Sequence, residues 1–267
     1  SQVIATSIEE LRAITRVELC VYDPDGTTVA STFDSKDIEA GLIRSFVESP
    51  ADSQVIGFDH LLKIMDEGEL AFVLVARGSS DDTYVVGRIA ASQIQQLMAA
   101  YKERFDRNNF FQNLLLDNLL LVDIYNRAKK LHIEVTVPRV VLIVETEKER
   151  DSTAAEFLGG LFSSQSGDFI TAIDESSVIL IKSLEPGEGY ETVEQTANMI
   201  VDMMNAEAMM NVRVAYGTIV QELKDVSKSY KEASLALDVG KIFYVEKKVN
   251  AYSNLGIGRL IYQLPVN

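Results

Sequence analysis

Four basic side chains in the N-terminal part of the chain have the chemistry to recognise a small anion. They are Arg44, His60, Arg77 and Arg88. An arginine guanidinium presents a planar fork of N–H donors that matches a carboxylate. A pocket built around such anchors should be concave and mostly apolar. Ordinary surface ion pairing is the preferred alternative for each of the four, and a first domain that binds nothing is another.

Other reactive side chains are sparse. Cys20 is the only cysteine, which excludes an internal disulfide and a multi-cysteine metal site. It lies in an alternating apolar run, so we expect a buried strand position. His60 and His132 are the only histidines and neither has a second histidine at ligand spacing, so we predict no metal site. A catalytic triad stays open, because its members meet only in three dimensions.

Glycines at 185–190 follow a predicted strand and precede a predicted helix, which is the context of a phosphate-binding loop. The segment lacks the Lys and the Ser or Thr of such a loop, and its acidic residues would repel phosphate. We therefore read it as a turn and predict no cofactor.

The charge balance argues against nucleic acid as a direct partner. The chain has 25 Lys and Arg against 40 Asp and Glu, a formal net charge of −15 at pH 7. Binding to phosphates needs clustered basic residues. The largest basic cluster alternates with acidic residues along one predicted helix, which is typical of a solvated face with ion pairs. Its members are Lys224, Lys228, Lys231 and Lys241.

No sequence signal points to a membrane or to secretion. No segment has the roughly 18–20 consecutive apolar residues that a spanning helix needs, and no basic segment followed by an apolar core marks a signal peptide. The single cysteine fits a reducing compartment, so we expect a cytoplasmic location without a membrane partner. The chain begins with Ser1 instead of Met, which leaves its native N-terminus open.

The first half has the pattern of a small sensor domain. Apolar spacing and turn residues predict a helix at 2–15, a hairpin at 17–22 and 27–32, a helix at 37–47, strands at 69–77 and 83–88, and a long helix at 89–121. This plan resembles a PAS-like sensor over residues 1–92, followed by a helical connector over 93–134. The long helix either packs on the neighbouring domain or serves as a dimer interface or signalling connector.

The second half alternates strands and helices. The predicted elements are a strand at 137–146, a helix at 153–164, strands at 168–173 and 178–184, a helix at 191–208, a strand at 212–219, a helix at 222–244 and a strand at 249–252. The order β-α-β-β-α-β-α-β predicts an antiparallel-rich sheet with helices packed on it, an α+β arrangement over residues 135–267.

Three groups of residues in this half resemble the bacterial sugar-diacid and purine-catabolism transcription regulators. They are 109–116 with 127–133 and 138–145, the segment 229–233 with Ala236, Leu237 and Gly240, and 255–257 with Arg259, Leu260, Leu264 and Pro265. The resemblance covers about residues 105–267 and corresponds to the GGDEF-like domain of these regulators. It implies a ferredoxin-like α/β sandwich and a helix-turn-helix domain after Pro265, outside this chain.

The same resemblance speaks against catalysis. A cyclic-dinucleotide synthase needs a Gly-Gly-acid-Glu-Phe turn, whose glycines admit the nucleotide and whose acidic residues bind Mg²⁺. The corresponding hairpin is Asp174-Glu175-Ser176-Ser177, without glycine. Glu145 and Glu147 stand where a metal-binding acid could lie, but the residues that usually follow are missing. Gly159–Gly160 falls within a predicted helix and cannot replace the turn.

The sequence thus predicts the ligand-sensing and dimerising portion of a transcription regulator, without catalytic or metal residues. DNA would be contacted only through the domain after Pro265, and the effector would be a small molecule such as a carboxylate. A sugar diacid is not implied, because residues 32–38 lack the Arg-Ile-Gly and His segment of regulators for that ligand. The alternatives are a nucleotide-binding or cyclic-dinucleotide-related enzyme of GGDEF type, and a purely structural dimerisation module.

Overall fold

The chain divides into two compact units, Ser1–Phe105 and Asp106–Asn267. The computed structural model describes residues 2–146, 152–162, 167–174 and 176–262. Within those ranges no helix has the length and apolar character needed to cross a bilayer. The finer division made from the sequence, with limits at 92 and 134, stays a prediction.

The first unit is built on a five-stranded antiparallel sheet with the order β2-β1-β5-β4-β3. The strands are β1 (Glu18–Tyr22), β2 (Thr28–Ser31), β3 (Ser53–Ile56), β4 (Asp59–Asp66) and β5 (Glu69–Arg77). The helices are α1 (Gln2–Thr15), α2 (Ala40–Glu48) and the first part of α3 (Thr83–Leu115).

Helices cover both faces of this sheet. Leu19 and Val21 of β1 pack with α1 and α3, whereas Cys20 and Tyr22 pack with α2. This division follows from the alternation of side chains along a strand. Helix α3 approaches the sheet closely at Gly87, where an added Cβ would lie 2.9 Å from a methyl carbon of Leu62. A larger residue at position 87 would therefore crowd the side chains of Leu62 and Ala76.

The structure corrects the sequence prediction in this unit. Residues 83–88, predicted as a strand, form the first turns of α3, because Val86 and Ala90 lie one turn apart and are buried against the sheet. Strands β3 and β4 were missed. Adjacent residues Leu61 and Leu62 of β4 pack on opposite faces, so β4 lacks the polar alternation that marks a half-exposed strand. The PAS-like assignment stays a prediction.

The second unit contains another five-stranded sheet, with the order β10-β9-β6-β8-β7. Its strands are β6 (Arg139–Thr146), β7 (Phe169–Ala172), β8 (Ser177–Ser183), β9 (Val212–Tyr216) and β10 (Val249–Ala251). Only the β9–β10 pair is parallel among these. The helices are the end of α3, α4 (Leu121–Lys130), α5 (Ser152–Leu161), α6 (Tyr190–Ala208), α7 (Val226–Phe243) and α8 (Ile257–Tyr262).

This sheet too is covered on both faces. Val141 and Ile143 of β6 pack with α7, α4 and the end of α3, whereas Val140 and Leu142 pack with α5 and α6. The α+β class and the order of strands and helices from β6 to β10 are confirmed. The helix predicted at 222–244 begins later, at Val226, after a short 3-10 turn.

Helix α7 is fixed to the sheet by a buried polar contact. The Ser229 hydroxyl is fully buried and accepts the backbone N–H of Val141 at 3.0 Å. Directly beside it, a Cβ added at Gly217 would lie 2.1 Å from the Ser229 carbonyl oxygen. The contact therefore requires glycine at position 217 and a small hydroxyl side chain at position 229.

We expect Gly217→Ala to lower the free energy of unfolding by about 3 kcal/mol, because the new methyl group would force the helix from the sheet. Gly159→Ala is the matched control. An added Cβ at Gly159, in the exposed part of α5, meets no atom within 4 Å. Helix propensity then predicts a stabilisation of up to about 1 kcal/mol. Urea unfolding of both variants tests the contact, and equal effects would contradict it.

Cys20 should be unreactive in the folded protein. Its side chain is fully buried, and burial raises the pKa of its thiol, so less of the reactive thiolate forms at a given pH. We expect Ellman's reagent to label the thiol only after denaturant is added. Rapid labelling under native conditions would show that β1 opens readily.

Candidate functional site

The hairpin between β7 and β8 is the one that the resemblance to GGDEF-like domains compares with the catalytic turn of a cyclase. The Asp174 carboxylate accepts the backbone N–H groups of Ser176 and Ser177 at 2.9 and 2.8 Å, and the Ser176 hydroxyl at 3.1 Å. Asp174 thus stabilises its own turn. Glu175 lies outside the described residues.

The acid on the neighbouring strand is also engaged. Glu145, near the end of β6, accepts the Lys241 ammonium at 2.7 Å. Glu145 and Lys241 line a cavity of about 320 Å³ with Arg213 and Lys248. The Arg213 guanidinium donates to backbone carbonyls beyond the end of α7, including that of Val245 at 2.9 Å. Three basic side chains therefore line the same cavity as this carboxylate, which opposes the binding of a cation there.

A metal-dependent enzyme of this type would need its metal ligands at these two places. No group of three His, Cys, Asp or Glu side chains in the described part of the chain could hold a metal ion. Glu147, the second candidate acid from the sequence, lies outside that part. At this edge the Asp174 carboxylate thus binds the backbone of its own turn, and the Glu145 carboxylate is paired with Lys241.

In the first unit, Arg77 is fully engaged by acidic neighbours. Its Nε and Nη2 atoms donate to the two carboxylate oxygens of Asp59 at 2.7 and 3.1 Å, and Nη1 donates to Asp37 at 3.1 Å. The guanidinium also stacks on Phe33, 4.4 Å from the ring centroid. The Asp59 hydrogen bonds raise the pKa of Arg77. An anionic ligand would therefore have to compete with two carboxylates.

The other three predicted anchors lie elsewhere on this unit. Arg44 is exposed on α2 and Arg88 is exposed on α3. His60 is half-buried on β4, with its ring 6.0 Å from Tyr84, and its Nδ1 has no hydrogen-bond partner among the described residues. Of the four, Arg77 lines a cavity of about 540 Å³, together with Ile56, Phe58, Asp59 and Ser79. The assignment of all four to one ligand site stays a prediction.

A larger cavity, of about 730 Å³, was missed by the sequence prediction. It lies in the second unit, where β6 begins and β8 ends, and we call it the Arg139 cavity. Residues that define it are Arg107, Phe111, Val137, Arg139, Leu184 and Pro186. One sequence signal was present, because Arg139 opens a strand that is otherwise apolar up to Glu145. Buried strands rarely carry an arginine without a role for its charge.

Comparison with known families agrees with the fold of the second unit. The family described as the GGDEF-like domain matches residues 118–239. No curated protein matches the chain.

Solved structures of PelD from Pseudomonas aeruginosa are similar over much of the chain. PelD 158-CT from strain PAO1 in complex with c-di-GMP is 14% identical, with a TM-score of 0.26, over 80% of this chain and 81% of that one. A second structure of PelD 158-CT from strain PAO1 is 16% identical, with a TM-score of 0.27, over 78% of this chain and 79% of that one.

PelD 156-455 from strain PA14, also in complex with c-di-GMP, is 15% identical with a TM-score of 0.21, over 80% of this chain and 90% of that one. Scores this low support no statement about this chain. The family match and the observed topology do: the chain contains a GGDEF-like domain over residues 118–239.

Proposed function

We propose that the chain is the ligand-sensing and signal-transmitting portion of a bacterial transcription regulator, in which the GGDEF-like domain does not catalyse. The observation that carries the second part is the Glu145–Lys241 pair at 2.7 Å, beside a hairpin without glycine. A Mg²⁺–nucleotide complex needs free carboxylates and room for phosphates at that edge. At that edge the described carboxylates of Asp174 and Glu145 are already engaged.

The regulator role is supported by the residues that resemble the sugar-diacid and purine-catabolism regulators and by the charge of the chain. With 40 acidic and 25 basic residues, the chain is a poor partner for DNA by itself. The resemblance assigns that contact to a helix-turn-helix domain after Pro265. The gene should therefore encode such a domain beyond residue 267, and a stop codon directly after that residue would contradict this role.

Signal transmission is assigned to α3, because its residues belong to both units. A ligand can shift the equilibrium between two conformations only if it binds one of them more tightly. In the first unit, the cavity of about 540 Å³ that Arg77 lines, here called the Arg77 cavity, is the proposed effector site. A carboxylate ligand would replace Asp59 or Asp37 on the guanidinium. Such an exchange would release an acidic side chain of β4 or of the segment before α2.

The alternative function, nucleotide turnover, gives a direct prediction. We expect no cyclic dinucleotide and no release of pyrophosphate when the full chain is incubated with GTP and Mg²⁺, as followed by ³¹P NMR. Glu145→Gln is the matched control for contamination, because true turnover at this edge would fall on losing its carboxylate, whereas a contaminant's activity would not. Turnover that depends on Glu145 would overturn the proposal.

We further propose that the chain forms a homodimer through the outer faces of α1 and α3. Both helices cover the same face of the first sheet. Val85 and Ile89 lie one turn apart on α3 and are exposed, as are Val3 and Ile14 on α1. Exposed apolar side chains that lie together mark interaction surfaces, and Val85 with Ile89 forms such a pair on α3.

The double substitution Val85→Glu and Ile89→Glu should convert the dimer to a monomer, because it would bury two carboxylates in the interface. Val55→Glu is the control, since Val55 is also exposed but lies on the edge strand β3. Sedimentation equilibrium measures the outcome. A wild-type chain that remains monomeric at about 100 μM, where even weak dimers associate, would exclude the dimer.

A further inference from the structure

The Arg139 cavity has two basic side chains with unmet hydrogen-bonding capacity. Arg139 is only 5% exposed, and one of its terminal nitrogens, Nη2, donates to the Glu134 carbonyl oxygen at 2.6 Å. The other, Nη1, is buried and has no partner among the described residues. A buried N–H donor of a charged group that lacks an acceptor lowers the stability of the fold. Such donors are therefore rare unless a ligand or water accepts the hydrogen bond.

Arg107 adds a second such donor. It extends from α3 and lines the same cavity, and its Nε is buried without a partner in the described part of the chain. Its guanidinium lies 5.9 Å from the centroid of the Phe111 ring. Burial lowers the pKa of Arg139, and the charge of Arg107 lowers it further. The two guanidinium groups on this cavity therefore repel each other. An anion placed between them would relieve both effects.

Acidic residues near the cavity do not supply that anion. Glu134 and Glu185 line it, but both are exposed to solvent. Neither forms an ion pair with Arg107 or Arg139 among the described residues, although the charge of Glu134 raises the pKa of Arg139 against the effect of burial. Solvent screens exposed charges more than buried ones. Among the lining residues, the two arginines therefore carry buried nitrogens without a described partner, whereas the two glutamates are exposed.

The remaining wall is largely apolar, with His132, Thr136 and Ser183 as its polar members. Phe111, Val137, Leu184 and Pro186 line it, and Leu184 is almost fully buried. The volume of about 730 Å³ falls within the range of roughly 300–1,000 Å³ that is typical of small-molecule pockets. A bare inorganic anion would leave this wall unused. The shape and lining fit an anionic head attached to a flat or apolar body.

We propose that the Arg139 cavity binds a small organic anion, with its carboxylate or phosphate between Arg107 and Arg139 and its apolar body against Phe111 and Val137. The site lies in the GGDEF-like unit and is separate from the Arg77 cavity. It does not depend on the regulator role, so each can fail without the other.

The test is calorimetric titration of the full chain with benzoate, phenyl phosphate and inorganic phosphate, with benzamide as the neutral analogue of benzoate. We expect benzoate or phenyl phosphate to bind, and inorganic phosphate and benzamide to bind at least about tenfold more weakly, because each lacks one half of the proposed contacts. The stronger of the two aromatic anions identifies the preferred head group. Absence of binding by both at about 10 mM would overturn the proposal.

Three arginine variants locate the binding. Arg107→Gln and Arg139→Lys should each weaken binding of the aromatic anion by about tenfold or more, because each substitution removes part of the set of N–H donors. Arg127→Gln is the control: Arg127 also stacks on a phenylalanine of this unit, 5.5 Å from the Phe110 ring centroid, but it does not line the cavity. Equal binding by Arg107→Gln and Arg127→Gln would place the ligand elsewhere.

Arg107→Gln also separates a binding role from a structural one, and it covers the case in which Arg139→Lys fails to fold. Without ligand its unfolding midpoint should equal or exceed that of the wild type, because one of two repelling charges is gone. With benzoate or phenyl phosphate the wild-type midpoint should rise and that of the variant should not. A lower midpoint without ligand would make Arg107 a packing residue and overturn the proposal.

Discussion

The burial of β6 on both faces is the constraint on which the second unit depends. Because helices cover both sides, the middle of the strand can carry only apolar residues, and charge is confined to its two ends. One end begins with Arg139 and the other carries Glu145. How the chain compensates these two charges determines what each edge of the sheet can bind.

The two ends are compensated differently. Glu145 has a lysine partner from α7 within the domain, so its carboxylate is already paired. Arg139 has one backbone carbonyl, an unpartnered nitrogen and a second arginine nearby. The domain thus keeps a GGDEF-like topology, while the arginine nitrogens without a described partner lie at the end of β6 opposite to Glu145.

The fold of the second unit could be predicted well because its signal is local. The apolar run at 137–146 reads as a strand in any context, and turn residues separate it from its neighbours. In the first unit the local signal misled: residues 83–88 are rich in β-branched side chains, yet the spacing of Val86, Ala90 and Ile94 and their packing on the sheet make them helical. Strand β4 was hidden because both of its faces are buried.

The sites were less predictable, since their contacts join residues far apart in the chain. The sequence indicated that Arg77 could hold an anion, but not that Asp59 and Asp37 already bind its guanidinium. It likewise placed Arg139 at a strand end without showing that Arg107 of α3 faces the same cavity. Only the packing of α3 on the sheet brings those two charges together.

An amide chemical-shift map of the full chain tests this account most directly, with Mg²⁺–GTP and phenyl phosphate added to separate samples. The account predicts that phenyl phosphate shifts the amides around Arg107, Arg139 and Leu184, while Mg²⁺–GTP leaves those of Glu145, Ser176 and Lys241 unchanged. Specific shifts at the Glu145 end with Mg²⁺–GTP, and none at the Arg139 end with phenyl phosphate, would contradict it.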